Sequence, residues 1–385
     1  MFNNRIRLLP VIFLVISLLV AGCYQPASGV TSPAATPCDI CSFKITTPAR
    51  TATNLTGQTP LKSLTPTGSK ETGLPQPENT VKIISLSGPV AQPEAELSGM
   101  AWYSNTLLLL PQYPSRFGTN GNGALLALTK AEILDYIDGI RKGPLIPVEV
   151  PFIAPGLDQR IKGFEGYESI AVKGQQIFLT IEANPGKMMG YLVSGLISPG
   201  LREIRLNVQN LAEITPQASI PNYADEALMI AGNRLFSFFE ANGILVNPHP
   251  VTHLYTFNLS PDGTLPIPNL EYRITDATPP DSSGYFWVIN SYNILESELK
   301  PSRDPLSEKY NQSTGFNPLS TVERLVEFQF TENGITLADR APIQLVQADK
   351  LVPRNWEALA RLDDLGFLLA TDSYPSTILG FVSVK

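Results

Sequence analysis

Histidine is nearly absent from this chain, with two in 385 residues, and cysteine is scarce, with three. That leaves little material for a zinc or iron site and none for a disulfide framework of the usual size. His249 and His253 have the spacing that shares a helix face, but Pro248 and Pro250 argue against a helix there. No Gly-x-Ser-x-Gly occurs, so a Ser-His-Asp nucleophile would have to use one of these two histidines. No glycine-rich phosphate loop is present either. Basic residues are outnumbered, 28 against 35 acids, for a net charge of −7. A nucleic-acid partner calls for a basic stripe, and an acidic chain argues against one.

What is present begins with Arg5 and Arg7 and the apolar run Leu8–Val20, too short for a comfortable membrane span. It ends Leu19-Val20-Ala21-Gly22-Cys23, which resembles the lipobox of bacterial lipoproteins. The resemblance implies that 1–22 is a cleaved signal peptide and that Cys23 carries the lipid. The expected location is the bacterial cell envelope, extracytoplasmic and held to the membrane through that anchor. Residues 23–80 are rich in Ser, Thr and Pro and poor in large apolar side chains, so they read as a flexible tether. Cys38 and Cys41 within it form a CxxC, read as a local disulfide or an idle pair ahead of a redox or metal role.

From Val81 to Lys385 the chain becomes patterned, and one segment organises it. Asn222–Gly243 recurs in altered form as Leu97–Ser115, Tyr167–Gly186, Thr275–Asn293 and Asn355–Pro375. Each copy has a polar residue, two short apolar runs about a turn, and a second polar residue 14 or 15 positions on. The first polar positions are Ser98, Glu168, Glu226, Asp276 and Glu357; the second are Gln112, Glu182, Glu240, Asn290 and Asp372. Short apolar runs repeating on this scale predict an all-β fold, a β-propeller of five four-stranded blades. The third unit is expected to place its third strand at His253–Leu259, a turn at Pro261–Gly263 and its fourth strand at Leu270–Ile274. The second should end in a strand near Ser219, and the fourth in one at Ile343–Val346. The fifth has only three strands, Leu359–Leu362, Gly366–Thr371 and Ile378–Val384. Val81–Leu86 supplies the missing one and closes the ring, which removes its exposed edges.

In a propeller the first strand of each blade lines the central channel, so the open ends of five such hairpins converge on one mouth. All ten polar positions, seven of them carboxylates, are expected there. They repel one another unless a cation or hydrogen-bond donors compensate, or their pKa values rise. Oxygen ligands with few histidines suit Ca²⁺ or Mg²⁺. The alternative reading is that each carboxylate accepts backbone N–H groups at a blade junction and maintains the ring.

Glu168-Ser169-Ile170-Ala171 with Glu182, Asn355–Ala360 with Leu368–Asp372, and Ser98-Gly99-Met100-Ala101 resemble motifs of the "esterase-like activity of phytase" domain family. The resemblance covers about residues 81–385 and implies a metal-assisted hydrolase of esters or phosphoesters. On that reading Glu168, Glu226 and Glu357 are the catalytic candidates, with Glu182, Glu240, Asp276 and Asp372 as metal ligands. Where the family shows Glu-Gly, this chain has Glu168-Ser169, Glu226-Ala227 and Glu357-Ala358. The other expectation is a monomeric, non-catalytic surface propeller that binds a small polar ligand or a surface protein, which the long tether favours. A carbohydrate-active propeller using a carboxylate pair is the third.

Overall fold

The computed structural model describes residues 79–118, 123–310, 320–345, 354–372 and 376–384. The signal segment and the tether, with Cys23, Cys38 and Cys41, lie outside them except for Asn79 and Thr80. Strand pairing begins at Asn79, which forms a parallel bridge with Leu345, two residues before the expected start of the domain.

The strands fall into five blades. β1 (Lys82–Ile84) stands alone at the N-terminal end. The first blade holds β2 (Leu97–Tyr103), β3 (Thr106–Pro111), β4 (Ala124–Thr129) and β5 (Val148–Ile153), and the helix α1 (Lys130–Ile137) falls between its last two strands. The second holds β6 (Phe164–Lys173), β7 (Gln176–Ala183), β8 (Met189–Ile197) and β9 (Ile204–Ile214). The third holds β10 (Asp225–Ala231), β11 (Arg234–Phe239), β12 (Val251–Thr256) and β13 (Pro261–Pro266). The fourth holds β14 (Arg273–Ala277), β15 (Tyr285–Tyr292), β16 (Val322–Thr331) and β17 (Gly334–Leu337), with the two-residue β18 (Ile343–Gln344) also on β16. The fifth holds β19 (Trp356–Leu362), β20 (Gly366–Thr371) and β21 (Leu379–Ser383). β1 pairs antiparallel with β21 through Lys82↔Phe381 and Ile84↔Leu379. The N-terminal strand therefore completes the last blade, as the sequence predicts.

The ring is closed. Each inner strand packs on the next, in the order β2, β6, β10, β14, β19 and back to β2. The structure is thus a five-bladed propeller. Its core explains the runs of apolar residues, because an interior strand is buried on both faces and does not alternate. Leu107 and Leu109 point into the cluster shared with the fifth blade, while Leu108 and Leu110 point into the one shared with the second. Phe236 and Phe238 likewise face the fourth blade and Leu235 the second. The β10–β11 turn is the two-residue Gly232-Asn233, with Gly232 at φ 61°, where an L side chain is disfavoured.

Three strand expectations were misplaced. No strand lies near Ser219, because β9 already ends the second blade at Ile214. Pro261–Gly263 is part of β13 rather than a turn, since the chain reverses earlier through Leu259 at φ 64°. Leu270–Ile274 consequently belongs to the entry of the fourth blade, and that blade's outer strand is Gly334–Leu337 ahead of Ile343–Gln344. Among the described residues no helix is long and apolar enough to cross a membrane.

Candidate functional site

All five first polar positions fall in β-bulges of the inner strands. Pairing skips Ser98, Glu226 and Glu357 singly, and skips Glu168 with Ser169 and Thr275 with Asp276. A bulge puts an extra residue against one partner and re-aims its side chain. The repeat in the sequence is therefore a repeat of backbone irregularity, placed at one level of the channel.

Three of these residues, Glu168, Glu226 and Glu357, open into a cavity of about 780 Å³ at one end of the channel. Of the second positions, Gln112, Glu182, Glu240 and Asp372 line it as well. Glu165, Glu296, Glu298, Tyr113, Tyr223 and Asn355 add to the wall, as does one cation, Arg273. Ser98, Asp276 and Asn290 do not line it.

Asp276 lies in the channel as a fastener. Its Oδ2 accepts the Leu359 N–H at 2.7 Å, and its Oδ1 accepts the Ala277 N–H at 2.8 Å and the Ser169 hydroxyl at 3.3 Å. Ser169 Oγ in turn accepts the Leu228 N–H at 3.1 Å. One carboxylate and one hydroxyl thus tie β6, β10, β14 and β19 together, which is the ring-maintenance role.

Arg273, which the repeat pattern did not single out, dominates the mouth. Its Nε donates to Glu240, Nη1 to Glu296 at 3.0 Å and Asn355 at 3.2 Å, and Nη2 to Glu226 at 3.4 Å and Glu357 at 3.0 Å. Those are five N–H donors on five oxygens, the full capacity of a guanidinium. The local backbone explains how it gets there. Glu271 and Tyr272 precede it at φ 56° and 66°, a left-handed pair that swings the chain inward. Asn290, expected at the mouth, holds that turn by donating to the carbonyls of Glu271 and Arg273, both at 3.0 Å. Tyr272 stacks on Tyr292, with ring centroids 5.0 Å apart. The signal available in the sequence was a basic residue three positions before the inner-strand acid, in the least regular copy of the repeat.

Burial works against the charged form of Arg273, and Glu240, Glu226, Glu296 and Glu357 outweigh it, holding its pKa well above the usual range. The carboxylates move up as well. Burial raises Glu168 well above the ordinary glutamate range, helped by Glu182 and Glu226 and opposed by the Gln112 amide. Glu182 is pushed up to about 8 by burial, then by Glu226 and Glu165. Burial also raises Glu226, Glu240 and Glu357 in spite of Arg273. Two oxygens stand out. Glu182 Oε1 and Glu240 Oε2 are buried and have no hydrogen-bond partner.

For a metal ion the fit is poor in this arrangement. Among the described residues no three His, Cys, Asp or Glu side chains gather as a metal's ligands do, and the centre of four glutamates is taken by a guanidinium. The histidines lie apart from the mouth. His253 Nδ1 meets Asp225 Oδ2 at 2.9 Å, and Ser237 donates to the same oxygen at 2.8 Å. This Ser, His and Asp have the aspartate in the middle, whereas nucleophilic catalysis needs histidine between the other two.

No protein-family pattern and no curated protein sequence matches the chain. Similar solved structures include a glucose dehydrogenase at 11% identity, covering 79% of this chain and 99% of that one, with a TM-score of 0.40. The soluble aldose sugar dehydrogenase of Escherichia coli in its apo form is 12% identical over 79% and 99%, with a TM-score of 0.41. The catalytic domain of the Coprinopsis cinerea GH62 α-L-arabinofuranosidase is 9% identical over 80% and 96%, with a TM-score of 0.42. The propeller assignment above rests on strand order and on the closed ring of inner strands.

Proposed function

We propose that this chain is a lipid-anchored envelope protein whose propeller presents an acidic mouth to a cation or a polar ligand. One observation carries the binding reading. Glu182 and Glu240, at 6% and 1% exposure, line a cavity of small-molecule size and each keeps an oxygen without a partner. A buried acceptor left unpaired costs about 1–3 kcal/mol, which a donating ligand recovers. The Arg-bonded glutamates serve as the fixed wall of this site, and the anchor at Cys23 with its tether gives it reach from the membrane surface.

The test is thermal melting of the full-length protein against calcium, magnesium and polar organic ligands. A specific ligand at a hundredfold excess over its dissociation constant stabilises by about 2.7 kcal/mol. The gain should shrink in Glu182→Gln and Glu240→Gln. A flat melting temperature across the panel would remove the reading.

A second reading is supported by Glu182 itself. A carboxyl pushed up to about 8 keeps its proton at neutral pH beside the cavity, as a general acid in ester hydrolysis must. This is the esterase-like function implied by the family resemblance, with Glu168, Glu226 and Glu357 around the same mouth. A phosphoester fits less well, because the one cation in the wall has no donor left for a phosphate. Hydrolysis of p-nitrophenyl acetate and p-nitrophenyl phosphate, with and without calcium or magnesium, decides it. Absence of turnover in every combination ends the hydrolase reading.

A further inference from the structure

The mouth has two unlike halves. On one, every N–H of Arg273 is accepted by a glutamate or by Asn355, so the charge there is balanced and the donors are spent. On the other stands Glu182, whose neighbours across β6 and β8 are Gly166 and Gly190. Neither glycine has a side chain to cover the carboxyl. Gly166 has no freedom to gain one, since a Cβ there would lie 2.3 Å from Gln112 Cγ. Glu182 Oε1 is buried and unpartnered, and so is the Oε2 of Glu240 that Arg273 leaves over.

We infer that this open half holds the ammonium group of a polar small molecule, such as an amino sugar or a polyamine, donating to Glu182 with Glu240 Oε2 as a further acceptor. The inference rests on the reading of the mouth as a binding site and narrows its ligand. An ammonium brings three donors and no acceptor, and its charge draws off the proton that Glu182 keeps at neutral pH without ligand, leaving carboxylate oxygens that it then pairs. An anion would meet carboxylates on one side and a saturated guanidinium on the other. A bare metal ion needs several oxygens drawn around one point, and none of the described residues are so gathered. The cavity volume of about 780 Å³ also suits an organic molecule, since such pockets run to roughly 300–1,000 Å³.

Titration calorimetry on the full-length protein with glucosamine and glucose tests this directly, because the two share a skeleton and differ in the ammonium. Spermidine and calcium chloride complete the set. Glucosamine and spermidine should bind saturably and compete for one site, with glucose showing no measurable binding. Glu182→Gln should weaken glucosamine by about tenfold or more, the scale of a lost hydrogen bond to a charged group. Glu149→Gln, exposed on β5 of the first blade and outside the cavity lining, should leave it unchanged. Glucosamine binding no tighter than glucose, or failing to compete with spermidine in the unmodified protein, overturns the inference. Calcium binding without ammonium binding overturns it too, yet leaves the acidic mouth as a site. If none of the four binds, both readings fall.

Discussion

Replacing Arg273 with methionine removes one cation from among one buried and three half-buried glutamates and keeps an unbranched stem of similar length. Arg273 is 8% exposed, and its partners Glu226, Glu240, Glu296 and Glu357 have side chains 1–18% exposed, so water cannot take over its role. Removing one partner of a buried ionic cluster typically costs about 3–5 kcal/mol, most of it the penalty of charges left unpaired. Unfolding entropy of about 2.1 cal/mol/K per residue over roughly 300 residues converts this to a fall in Tm of about 5–8 °C. The charge argument makes a second demand. Without the guanidinium the glutamates can relieve their repulsion by taking up protons, so the loss measured near pH 8 should shrink near pH 5. Arg273→Lys should be intermediate, since one ammonium cannot meet five oxygens in a plane. Denaturation of both variants at the two pH values checks this. A loss below about 1 kcal/mol would refute the central role of Arg273. An equal loss at both pH values would show that packing, not charge, is what the arginine supplies.

Other expectations follow from the same contacts. Glu182 has a folded pKa of about 8, above its value of 4.5 in an unstructured chain, so its share of stability is full below about pH 4.5 and is lost as pH rises toward 8. His253, lowered by its burial but raised overall by the hydrogen bond it donates to Asp225, has the same sign. Asp304, held down by Arg324 against its burial, works only below its usual range, so the protein without ligand should melt higher at pH 5 than at pH 8.5. A flat profile would contradict that burial. Asp276→Ala removes the acceptor of the Leu359 and Ala277 N–H groups and should cost about 2–5 kcal/mol in denaturant unfolding, without altering ligand affinity in any refolded fraction. Ile84→Ala, in the closure strand at 1% exposure, should cost about 2–5 kcal/mol in the same assay, whereas an optional N-terminal arm would tolerate it. Cys23→Ser should move the protein from the membrane fraction to the soluble fraction on cell fractionation.

The fold was legible because a propeller repeats one hairpin, and a hairpin has a local signature. Leu107–Leu110 and Leu235–Phe239 announce strands buried on both faces, and the missing fourth strand after Val384 points back to Val81–Leu86. The outer strands were harder to read. β13 runs Pro-Asp-Gly-Thr-Leu-Pro and is almost wholly exposed, so it has turn composition and no apolar pattern, and only its pairing with β12 makes it a strand. The acids of the mouth were legible as a repeat, but their division of labour was not. Asp276 and Glu226 occupy the same repeat position, yet one accepts backbone N–H groups and the other faces the cavity. Place within the bulge goes with the difference: Asp276 is the second residue of the Thr275–Asp276 bulge, as the fastening Ser169 is of Glu168–Ser169, whereas Glu168 comes first in its bulge and Glu226 stands alone.

Arg273 shows why spacing alone could not settle what the carboxylates do. A ring of acids invites a cation, and composition leaves the identity of that cation open. The fourth blade answers for part of the ring by departing from the repeat. Its second polar position is an asparagine rather than an acid, and that asparagine spends its amide on the carbonyls of Glu271 and Arg273 instead of on the cavity. An acid at position 290 could not donate those two hydrogen bonds, and the left-handed turn at Glu271 and Tyr272 would lose its clasp. The loss of one carboxylate from the ring and the gain of an internal cation are therefore one structural event. Its consequence is polarity. The guanidinium donates to the glutamates around it, and Glu182, which receives none of its N–H groups, keeps a buried oxygen without a partner, as does the Oε2 of Glu240. The first blade also departs from the acid pattern, with Ser98 and Gln112, but only the fourth adds a cation to the mouth, and that gives the site its direction.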